Sequence, residues 1–577
     1  MVWSLRWAAA LALALVGCAR ETPRRPSVLL VTLDTTRADA LGAYGRSPSV
    51  TPRLDAFARE STTYVWARTV TPTTLPAHAS MLTGLYPNRH TVRDNSLNAL
   101  PASAETLAER ARAADFRTAA FVSAKVLDRA FGLDQGFTQY SQPPREKEVV
   151  DNPTFSSRPA RETAAEFAAW LAELSADQSF FAWVHFFDAH APWTAGEPWT
   201  TRAGGHPYLA EIAVQDDAFG SLLDALQAQA RLADTTVLVI GDHGEGLGDH
   251  GEATHAYFVF DSTLRVPFLL RRADGRRAGE RSTELVSAVD VLPTLNDALG
   301  LGEPRELDGR SLWNAPVPAD RGVYFESYYG FLHYGMAPLA GWVDSEAKYV
   351  HSSKTELYHP KRSPLERKDL SGELDVDVAR YRARIAEQEA KPALQRNHEL
   401  KLDPALLRDV QALGYAGSLG AAGELPSALA ASALPSPHER AEELQRCERA
   451  HEHFRAGRVG DAARILRTVL EGNPGNSFAL EYLAFSELAL GNLPEARGVF
   501  ERALAVGPER AAYRKGLAAI FERTGEPKRA EQEWLRAREL DASDVETLQA
   551  LLRLALANGN VESEARWRAE IKAAEEP

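Results

Sequence analysis

The amino-acid sequence predicts an α/β domain followed by an all-α repeat domain. Apolar, strand-like runs alternate with helix-like stretches over residues 27–320. Short aromatic-rich strands follow from residue 321, and from residue 438 the chain repeats itself every 34 residues. Because a chain of 577 residues exceeds what one hydrophobic core normally supports, at least two domains are expected.

The α/β domain is predicted from three apolar runs that each end at polar residues. The runs are Val28–Leu33, Phe180–Val184 and Val237–Ile240, and they lead to Asp34, to His185, Asp188 and His190, and to Asp242 and His243. Helix-like stretches lie between them, at 104–114, 161–174 and 208–232. Strands that alternate with helices predict a mostly parallel, doubly wound sheet, in which a ligand binds beyond the carboxyl ends of the strands. We therefore expect the polar residues that follow all three runs to share one site.

A smaller unit and a linker are expected after the α/β domain. Residues 321–414 combine short strands with a charged helical stretch near 375–389, which predicts a small antiparallel subdomain. Residues 415–437 are rich in Ala, Gly, Ser and Pro, as flexible linkers are. We expect this linker to separate two independent cores, so that the α/β domain stays folded when residues from 436 onward are removed.

The repeat domain, residues 438–577, is predicted from residues that recur at one period. The recurring residues are Gly457, Gly491, Gly525 and Gly559, then Ala462, Ala496 and Ala530, and Pro474 and Pro508. A turn glycine, a small residue where helices touch and a proline after the second helix suit stacked helical hairpins, whereas a plain helical bundle would not keep one period. The pattern resembles tetratricopeptide repeats, whose concave face usually binds protein segments.

The first 18 residues resemble a bacterial lipoprotein signal. They hold one basic residue, Arg6, and then the apolar run Ala8–Val16. The run is short for a membrane span, and Leu15–Cys18 resembles the lipobox, whose cysteine is lipidated. We expect a protein anchored through Cys18 to a bacterial membrane, on the periplasmic or outer-membrane face of the cell envelope. A cleaved signal with an incidental cysteine is the alternative.

Composition excludes several classes of partner and site. The formal net charge is -14 with both signs interspersed, so nucleic acid is not an expected partner. The two cysteines, Cys18 and Cys447, cannot form a disulfide framework or a cysteine zinc cluster within the chain. No segment after the signal is long and apolar enough to predict a transmembrane helix.

Asp34, Thr74, Asp242 and His243 are the candidate metal-binding residues. Taken singly, Asp34 could cap a strand, Thr74 could cap a helix, and Asp242 with His243 could form a turn. Together they supply carboxylates, a hydroxyl and an imidazole. This mixed oxygen and nitrogen set favours zinc or manganese, with calcium or magnesium as alternatives.

Five ordered motifs resemble those of sulfatase-like hydrolases of the alkaline-phosphatase superfamily. They are Leu33–Asp39, Thr51–Asp55, Leu75–Gly84, Gly241–Glu245 and Leu307–Leu312, and the resemblance extends from residue 27 to residue 370. It implies an alkaline-phosphatase-like α/β sandwich and a metal-dependent ester hydrolase. By motif, Asp34, Asp242 and His243 would bind the metal, and Thr74 would be the nucleophile and a further ligand.

Two histidines are further catalytic candidates by the same resemblance. His190 matches a histidine that contacts the ester anion, and His255 lies near the place of a residue that neutralises the leaving oxygen. The alternative for each is a structural histidine on a loop. Lys125 receives no role, while His250 and Glu252 could support the metal ligands.

Thr74 is the main departure from the sulfatase pattern. Sulfatases carry a cysteine or serine there that becomes formylglycine, which threonine cannot form. A phosphothreonine intermediate can be hydrolysed at phosphorus, whereas a sulfated threonine lacks the hemiacetal route by which formylglycine expels sulfate. Thr35 stands where sulfatases often have aspartate, and His243 where they often have asparagine, which favours zinc or manganese over calcium. The expected substrate is therefore a phosphate or sulfate ester, with phosphate favoured.

Two other functions are alternatives. The first is a transferase that moves a phosphoalcohol group between envelope lipids or glycans, although its relatives usually carry several transmembrane helices before the catalytic domain. The second is a scaffold in which the repeats bind a partner and the α/β domain is inactive. The presence of Asp34, Thr74, Asp242 and His243 argues against the scaffold.

Overall fold

The computed structural model describes residues 25–96, 98–144, 157–373, 376–395, 406, 425–507, 509–542 and 544–575. The predicted signal segment with Cys18 lies outside the described residues, as does the predicted linker up to residue 424. Among the described residues, no helix is long and apolar enough to cross a membrane.

An eight-stranded sheet is the centre of the α/β domain. Its strands are β1 (Ser27–Leu33), β2 (Thr62–Arg68), β3 (Arg117–Phe121), β4 (Gln139–Ser141), β5 (Phe180–Phe186), β6 (Thr235–Gly241), β7 (Phe268–Arg271) and β8 (Arg281–Ser287). Their order across the sheet is β4-β3-β5-β1-β6-β7-β2-β8, and within it β7 runs antiparallel to its neighbours while the others are parallel. The predicted mostly parallel sheet is confirmed.

The position of β1 between β5 and β6 determines where the candidate ligands lie. Every residue of these three strands is buried, which explains why each reads as a continuous apolar run. Leu33 pairs with Phe186 on one side and with Gly241 on the other, so the three strands end level with one another. Asp34 and Asp242 consequently emerge side by side at the carboxyl edge of the sheet.

Helices cover both faces of this sheet. They are α1 (Pro52–Ala58), α2 (Thr74–Thr83), α3 (Pro87–His90), α4 (Leu107–Ala113), α5 (Ala160–Glu173), α6 (Trp199–Arg202), α7 (Pro207–Ala228), α8 (Asp261–Leu264) and α9 (Val291–Ala298). Val28 and Leu30 belong to the apolar core on one face, while Leu29 and Val31 belong to the core on the other. The alternation along β1 confirms a sandwich with two helical layers.

The predicted antiparallel subdomain is also present. It contains β9 (Val323–Ser327), β10 (Leu339–Val343), β11 (Lys348–His351) and β12 (Thr355–Tyr358), with α10 (Tyr329–Tyr334) and α11 (Val378–Glu389). The strands are ordered β12-β11-β10-β9, and each is antiparallel to its neighbours.

The repeat domain consists of paired helices. They are α12 (Ala441–Arg455), α13 (Val459–Gly472), α14 (Ser477–Leu490), α15 (Leu493–Val506), α16 (Ala511–Arg523), α17 (Pro527–Leu540), α18 (Val545–Ala557) and α19 (Val561–Glu575). The four periodic glycines all have φ between 63° and 82°, a left-handed conformation that favours glycine at a helix end. The three periodic alanines are fully buried. The helical-hairpin prediction is confirmed.

The α/β and repeat domains share one core, contrary to the expectation of two independent ones. Leu444 and Phe478 of the repeat domain belong to the same apolar cluster as Tyr334 and Met336 of the antiparallel subdomain. The described part of the expected linker, 425–437, also contacts this subdomain, where the Ala337 N–H donates to Pro435 O at 2.9 Å. Removal of the repeats would therefore expose apolar surface on the rest of the molecule.

Candidate metal centre and active site

Asp34 lies directly after β1, where the backbone turns sharply. Its N–H donates to Phe186 O at 2.9 Å, which continues the pairing of β1 with β5. Thr35 then has φ of 47°, a left-handed conformation that is unfavourable for a β-branched residue. The Thr35 N–H donates to Asp242 Oδ1 at 3.1 Å, so the strained turn joins the ends of β1 and β6.

Asp242 and His243 follow β6 and are fully buried. The Asp242 N–H donates to Leu33 O at 3.2 Å, and Asp242 Oδ1 accepts the His243 N–H at 2.6 Å. His243 Nδ1 lies 2.9 Å from Gly244 O, and because a carbonyl can only accept, Nδ1 carries the proton. His243 Nε2 therefore presents a lone pair.

Thr74 is the first residue of α2. Its Oγ1 lies 3.2 Å from His243 Nε2. The hydroxyl at the start of α2 is thus within hydrogen-bond distance of the imidazole that follows β6. Both side chains are fully buried. The beginning of a helix also favours negative charge, because the first N–H groups and the helix dipole point there.

Two carboxylate oxygens at this place have no hydrogen-bond partner. They are Asp34 Oδ1 and Asp242 Oδ2, both completely buried. Ligand atoms of Asp34, Asp242 and His243 lie within 4.8 Å of one another. Two buried carboxylates that face one another without a cation are unfavourable. A divalent ion would give a binding partner to both oxygens and to the imidazole. The donor set therefore fits a divalent metal.

The pKa values of both carboxyls reflect this environment. Burial raises the pKa of Asp34 from 3.8 to about 8, and the charge of Glu245 adds to the increase, although His255 opposes it. Burial and then the charge of Asp34 raise the pKa of Asp242 well above 3.8. These shifts describe a pair of acids that favours a cation between them.

His185, which precedes the end of β5, supports Asp34. Its Nδ1 accepts the Ser123 N–H at 3.3 Å, so the proton is on Nε2, which lies 3.2 Å from Asp34 Oδ2. Burial lowers the pKa of His185 to about 3, so the ring is neutral. A neutral imidazole that donates to a ligand carboxylate orients the ligand.

His78, on α2, similarly supports the backbone of Thr74. Its Nδ1 lies 2.8 Å from Thr74 O and its Nε2 lies 2.9 Å from Thr32 Oγ1. His78, His185 and Asp242 also place ligand atoms within 4.8 Å of one another. Because both nitrogens of each histidine already have hydrogen-bond partners, we interpret these residues as supports for the ligands. Their sequence signal is a polar residue within a buried apolar element.

His255 forms a buried pair with Glu245 beside the candidate ligands. Its Nδ1 lies 3.2 Å from Glu245 Oε1, and its ring centroid lies 4.4 Å from that of His243. Burial alone would lower the pKa of His255, but the carboxylates of Glu245 and Asp34 raise it above 6.5. The protonated form is therefore more populated than in an unperturbed imidazole, which suits a proton donor to a leaving oxygen.

His190 lies next to His255, with ring centroids 5.2 Å apart, and stacks on Phe187 at 4.4 Å. Its Nδ1 lies 2.6 Å from Ala191 O, which indicates a proton on Nδ1. Burial and the charge of His255 lower its pKa to about 3. A neutral ring with its proton on Nδ1 can accept a hydrogen bond at Nε2, but it has no positive charge with which to attract an ester anion.

Asn95 is a site residue that sequence reasoning missed. Its Oδ1 accepts the Leu75 N–H at 2.8 Å, immediately after Thr74. Its Nδ2 is buried and has no hydrogen-bond partner. No spacing or strand-end signal marks this asparagine, because its position depends on how its loop returns to the start of α2.

Two residues near the strand ends use their side chains to bind backbone groups of other segments. Both Asp188 carboxylate oxygens accept the Ala160 N–H, at 3.1 and 2.9 Å, so the carboxylate caps the start of α5. Lys125 Nζ donates to Pro144 O.

The loop after β6 contains the two residues considered as supports. His250 stacks on Phe260, with ring centroids 3.7 Å apart. Glu252 Oε1 accepts the N–H groups of Tyr257 and Phe258, at 2.9 and 3.0 Å. Glu252 therefore shapes the segment that carries His255.

Comparison with known proteins finds relatives for both parts of the chain. Residues 26–301 match the family model described as Sulfatase, and residues 453–520 match one described as Tetratricopeptide repeat. The uncharacterized sulfatase YidJ of Escherichia coli is 25% identical over 437 residues, which cover 63% of this chain and 86% of that protein. A Delta 4,5-hexuronate-2-O-sulfatase of Bacteroides thetaiotaomicron is 24% identical over 426 residues, covering 62% and 87%.

A solved structure supports the same fold. The phosphonate monoester hydrolase of Agrobacterium radiobacter has a TM-score of 0.52 and 24% sequence identity, and the likeness covers 63% of this chain and 94% of that one. The predicted sandwich with its small antiparallel subdomain is thus confirmed. All four candidate ligands, Asp34, Thr74, Asp242 and His243, fall within the residues that the first family model matches.

Proposed function

Because residues 26–301 are a sulfatase-family domain of the alkaline-phosphatase superfamily, we propose that this chain is a metal-dependent hydrolase of phosphate or sulfate esters with Thr74 as its nucleophile. The observation that supports this most directly is the 3.2 Å approach of Thr74 Oγ1 to His243 Nε2. The unpartnered oxygens of Asp34 and Asp242 belong to the same group of ligand atoms. A hydroxyl at such a place is the usual form of an activated nucleophile.

Asp34, Asp242 and His243 would hold a divalent ion, with Thr74 as a further ligand. The imidazole favours zinc or manganese over calcium or magnesium. When bound, the ion would lower the pKa of a ligating hydroxyl and offset negative charge that develops on the ester oxygens. The His185 contact to Asp34 Oδ2 would keep the carboxylate in its binding orientation.

The side chains support a two-step reaction. The Thr74 oxygen, its proton already lost to bulk water, attacks phosphorus or sulfur and forms a covalent threonine ester. The bond to the leaving alcohol breaks, and that alcohol takes the proton from His255, which Glu245 holds in place. Water then attacks the threonine ester and returns a proton to His255, and Thr74 leaves as the alkoxide. The net reaction consumes one water molecule and releases the alcohol and the inorganic anion.

We propose that phosphate esters are cleaved faster than sulfate esters. The reason is chemical, because Thr74 cannot be converted to formylglycine, whereas phosphothreonine can be hydrolysed by attack of water on phosphorus. Catalysis of phosphoryl transfer also needs little beyond positioning and charge stabilisation, which buried ligands and a buried cationic histidine would provide.

The test compares Thr74→Ala, Thr74→Ser and the wild-type chain on matched aryl phosphate and aryl sulfate. We expect Thr74→Ala to lose at least about 10³-fold in kcat, and Thr74→Ser to retain part of the rate because only the hydroxyl reacts. Thr83→Ala is the matched control, since Thr83 is buried in the same helix and its hydroxyl donates to Ala79 O at 2.6 Å.

Mass spectrometry of protein quenched during turnover should detect the covalent ester on Thr74. Full activity of Thr74→Ala would end this proposal. Faster cleavage of sulfate than of phosphate by the wild-type chain would reverse the substrate preference but leave the nucleophile in place.

A further inference from the structure

Helix α10 of the antiparallel subdomain packs against the start of α14 in the repeat domain. The Tyr334 ring stacks on the Phe478 ring, with centroids 5.2 Å apart and planes 16° apart. Two hydrogen bonds reinforce the contact: Asn473 Nδ2 donates to Tyr334 O at 2.9 Å, and Ser477 Oγ donates to His333 O at 2.8 Å. All five residues are buried, so the contact fixes the end of α10 relative to the repeats.

The side chain of His333 connects α10 to the loop that contains Asp94. Its Nε2 lies 2.9 Å from Asp94 Oδ2, and its ring packs on Tyr329 with centroids 4.5 Å apart. Asp94 Oδ1 accepts the N–H and the hydroxyl of Ser96, at 2.8 and 2.7 Å. Asp94 is 1% exposed, so the loop that contains it has little freedom to move.

Asn95, the next residue, contacts the nucleophile helix. Its Oδ1 accepts the Leu75 N–H at 2.8 Å, and Leu75 directly follows Thr74. A continuous series of buried hydrogen bonds and one peptide link therefore connects Ser477 in the repeat domain, through His333 and Asp94, to the residue beside Thr74.

We propose that Ser477 and His333 are positioning residues for Thr74. Through Ser477, the repeat domain would help to hold the nucleophile in its reactive position. This inference rests on the proposed role of Thr74 as nucleophile. A nucleophile must be held within about 0.5 Å of its productive position by supporting contacts, and a displacement of 1 Å can cost about 10²-fold in rate. Loss of the His333 contact would release Asp94 and Asn95 and let the start of α2 shift.

The kinetic test uses the full chain with His333→Leu and His333→Gln. We expect His333→Leu to lower kcat about 10-fold to 100-fold with KM within about twofold of wild type, as for groups that orient reacting residues. His333→Gln should recover part of kcat, because an amide N–H can donate to Asp94 Oδ2. Unchanged kcat in His333→Leu would overturn the proposal, as would equal losses in the two variants.

Ser477→Ala and Ser486→Ala form a matched pair in α14. Both serines are buried and donate to a backbone carbonyl, but Ser486 donates to Tyr482 O at 2.7 Å in its own helix. We expect Ser477→Ala to lower kcat several-fold and Ser486→Ala to leave it unchanged. An equal decrease in both variants would mean that the effect is only a general loss of repeat stability, and would overturn the proposal.

A readout independent of turnover separates this proposal from the proposed function. Hydrogen exchange followed by mass spectrometry should show faster exchange in peptides covering 74–83 in His333→Leu than in wild type, with β1 peptides unchanged. If the wild-type chain cleaves no ester, the proposed function fails but this structural prediction can still succeed. Unchanged exchange in 74–83 would refute the connection itself.

Discussion

Replacement of Asp242 by asparagine should stabilise the metal-free protein and weaken metal binding. Asp242 Oδ1 accepts the N–H groups of Thr35 and His243, while Oδ2 has no partner. An asparagine keeps the accepting oxygen in place and puts a neutral N–H₂ group where the orphaned oxygen was. The substitution therefore removes one of two facing carboxyl groups, which oppose each other's ionisation, without removing a hydrogen bond.

The expected magnitude follows from the pKa shift of the partner acid. The pKa of Asp34 is raised by burial from 3.8 to about 8. Because this pKa lies above pH 7, Asp34 is protonated in the folded metal-free protein, and at 1.36 kcal/mol per pKa unit this proton uptake opposes folding by about 4 kcal/mol at pH 7. Asp242 is an equally buried acid that competes with Asp34 for ionisation, so we expect its replacement to recover about 1–3 kcal/mol in the metal-free state. The amide can also donate to the Asp34 carboxylate.

The assay is thermal unfolding with chelator and with excess zinc or manganese. Wild-type protein should gain about 2.7 kcal/mol at a metal concentration 100 times Kd, and Asp242→Asn should gain much less. Asp290→Asn is the matched control, because Asp290 is equally buried but forms an ion pair with Arg321 at 2.6 Å. This control should be destabilised by about 3–5 kcal/mol with or without metal.

The sign of the effect in chelator is the decisive result. If Asp242→Asn is destabilised as much as Asp290→Asn, the two orphaned oxygens are not an unfavourable pair and the argument for a cation between them fails. If its stability rises but the metal-dependent gain is the same as in wild type, the metal lies elsewhere.

Three further predictions concern the domains and the N-terminus. Deletion of residues 425–577 should give an α/β domain that aggregates, because the deletion exposes Tyr334 to water. A fragment that is monomeric in gel filtration and has wild-type turnover in a kinetic assay would contradict this. His438→Leu should cost about 1–3 kcal/mol at pH 7, because burial would raise the pKa of Glu356 but the His438 contact at 2.5 Å lowers it. The lowered pKa means that this stabilisation is present above pH 4.5 and is lost as the pH falls, so parallel wild-type and variant curves of Tm against pH would refute it. Cys18→Ser should abolish lipidation and membrane-fraction localisation, and an unmodified wild-type N-terminus in mass spectrometry would exclude the anchor.

Much of the fold could be predicted from the sequence, because its strongest signals are local. β1, β5 and β6 are buried on both faces, so each is mostly apolar, and a charged residue follows the ends of β1 and β6. The repeat helices could be predicted from the glycines that recur in their turns. Each turn has a left-handed backbone conformation that favours glycine, and the turns recur at a constant interval. The candidate ligands Asp34 and Asp242 could be named for the same reason, since they follow the strands directly.

Only the tertiary structure decided which polar residues meet and which do not. Asp188 also follows a strand, yet the start of α5 arrives beside it and takes its carboxylate. His185 contacts Asp34, and Asn95 reaches Leu75, because separate segments return to the same edge of the sheet. These contacts depend on the paths of distant loops, which no local pattern encodes.

The relation between the domains is the clearest case of a property that the sequence did not determine. Residues 425–437 have the composition of a flexible linker, and the 34-residue period describes only how each repeat stacks on the next. Neither signal reports that Tyr334 and Phe478 complete one another's burial. Local propensities depend on neighbours in the chain, whereas the burial of an apolar face depends on a complementary surface, which exists only once both parts have folded.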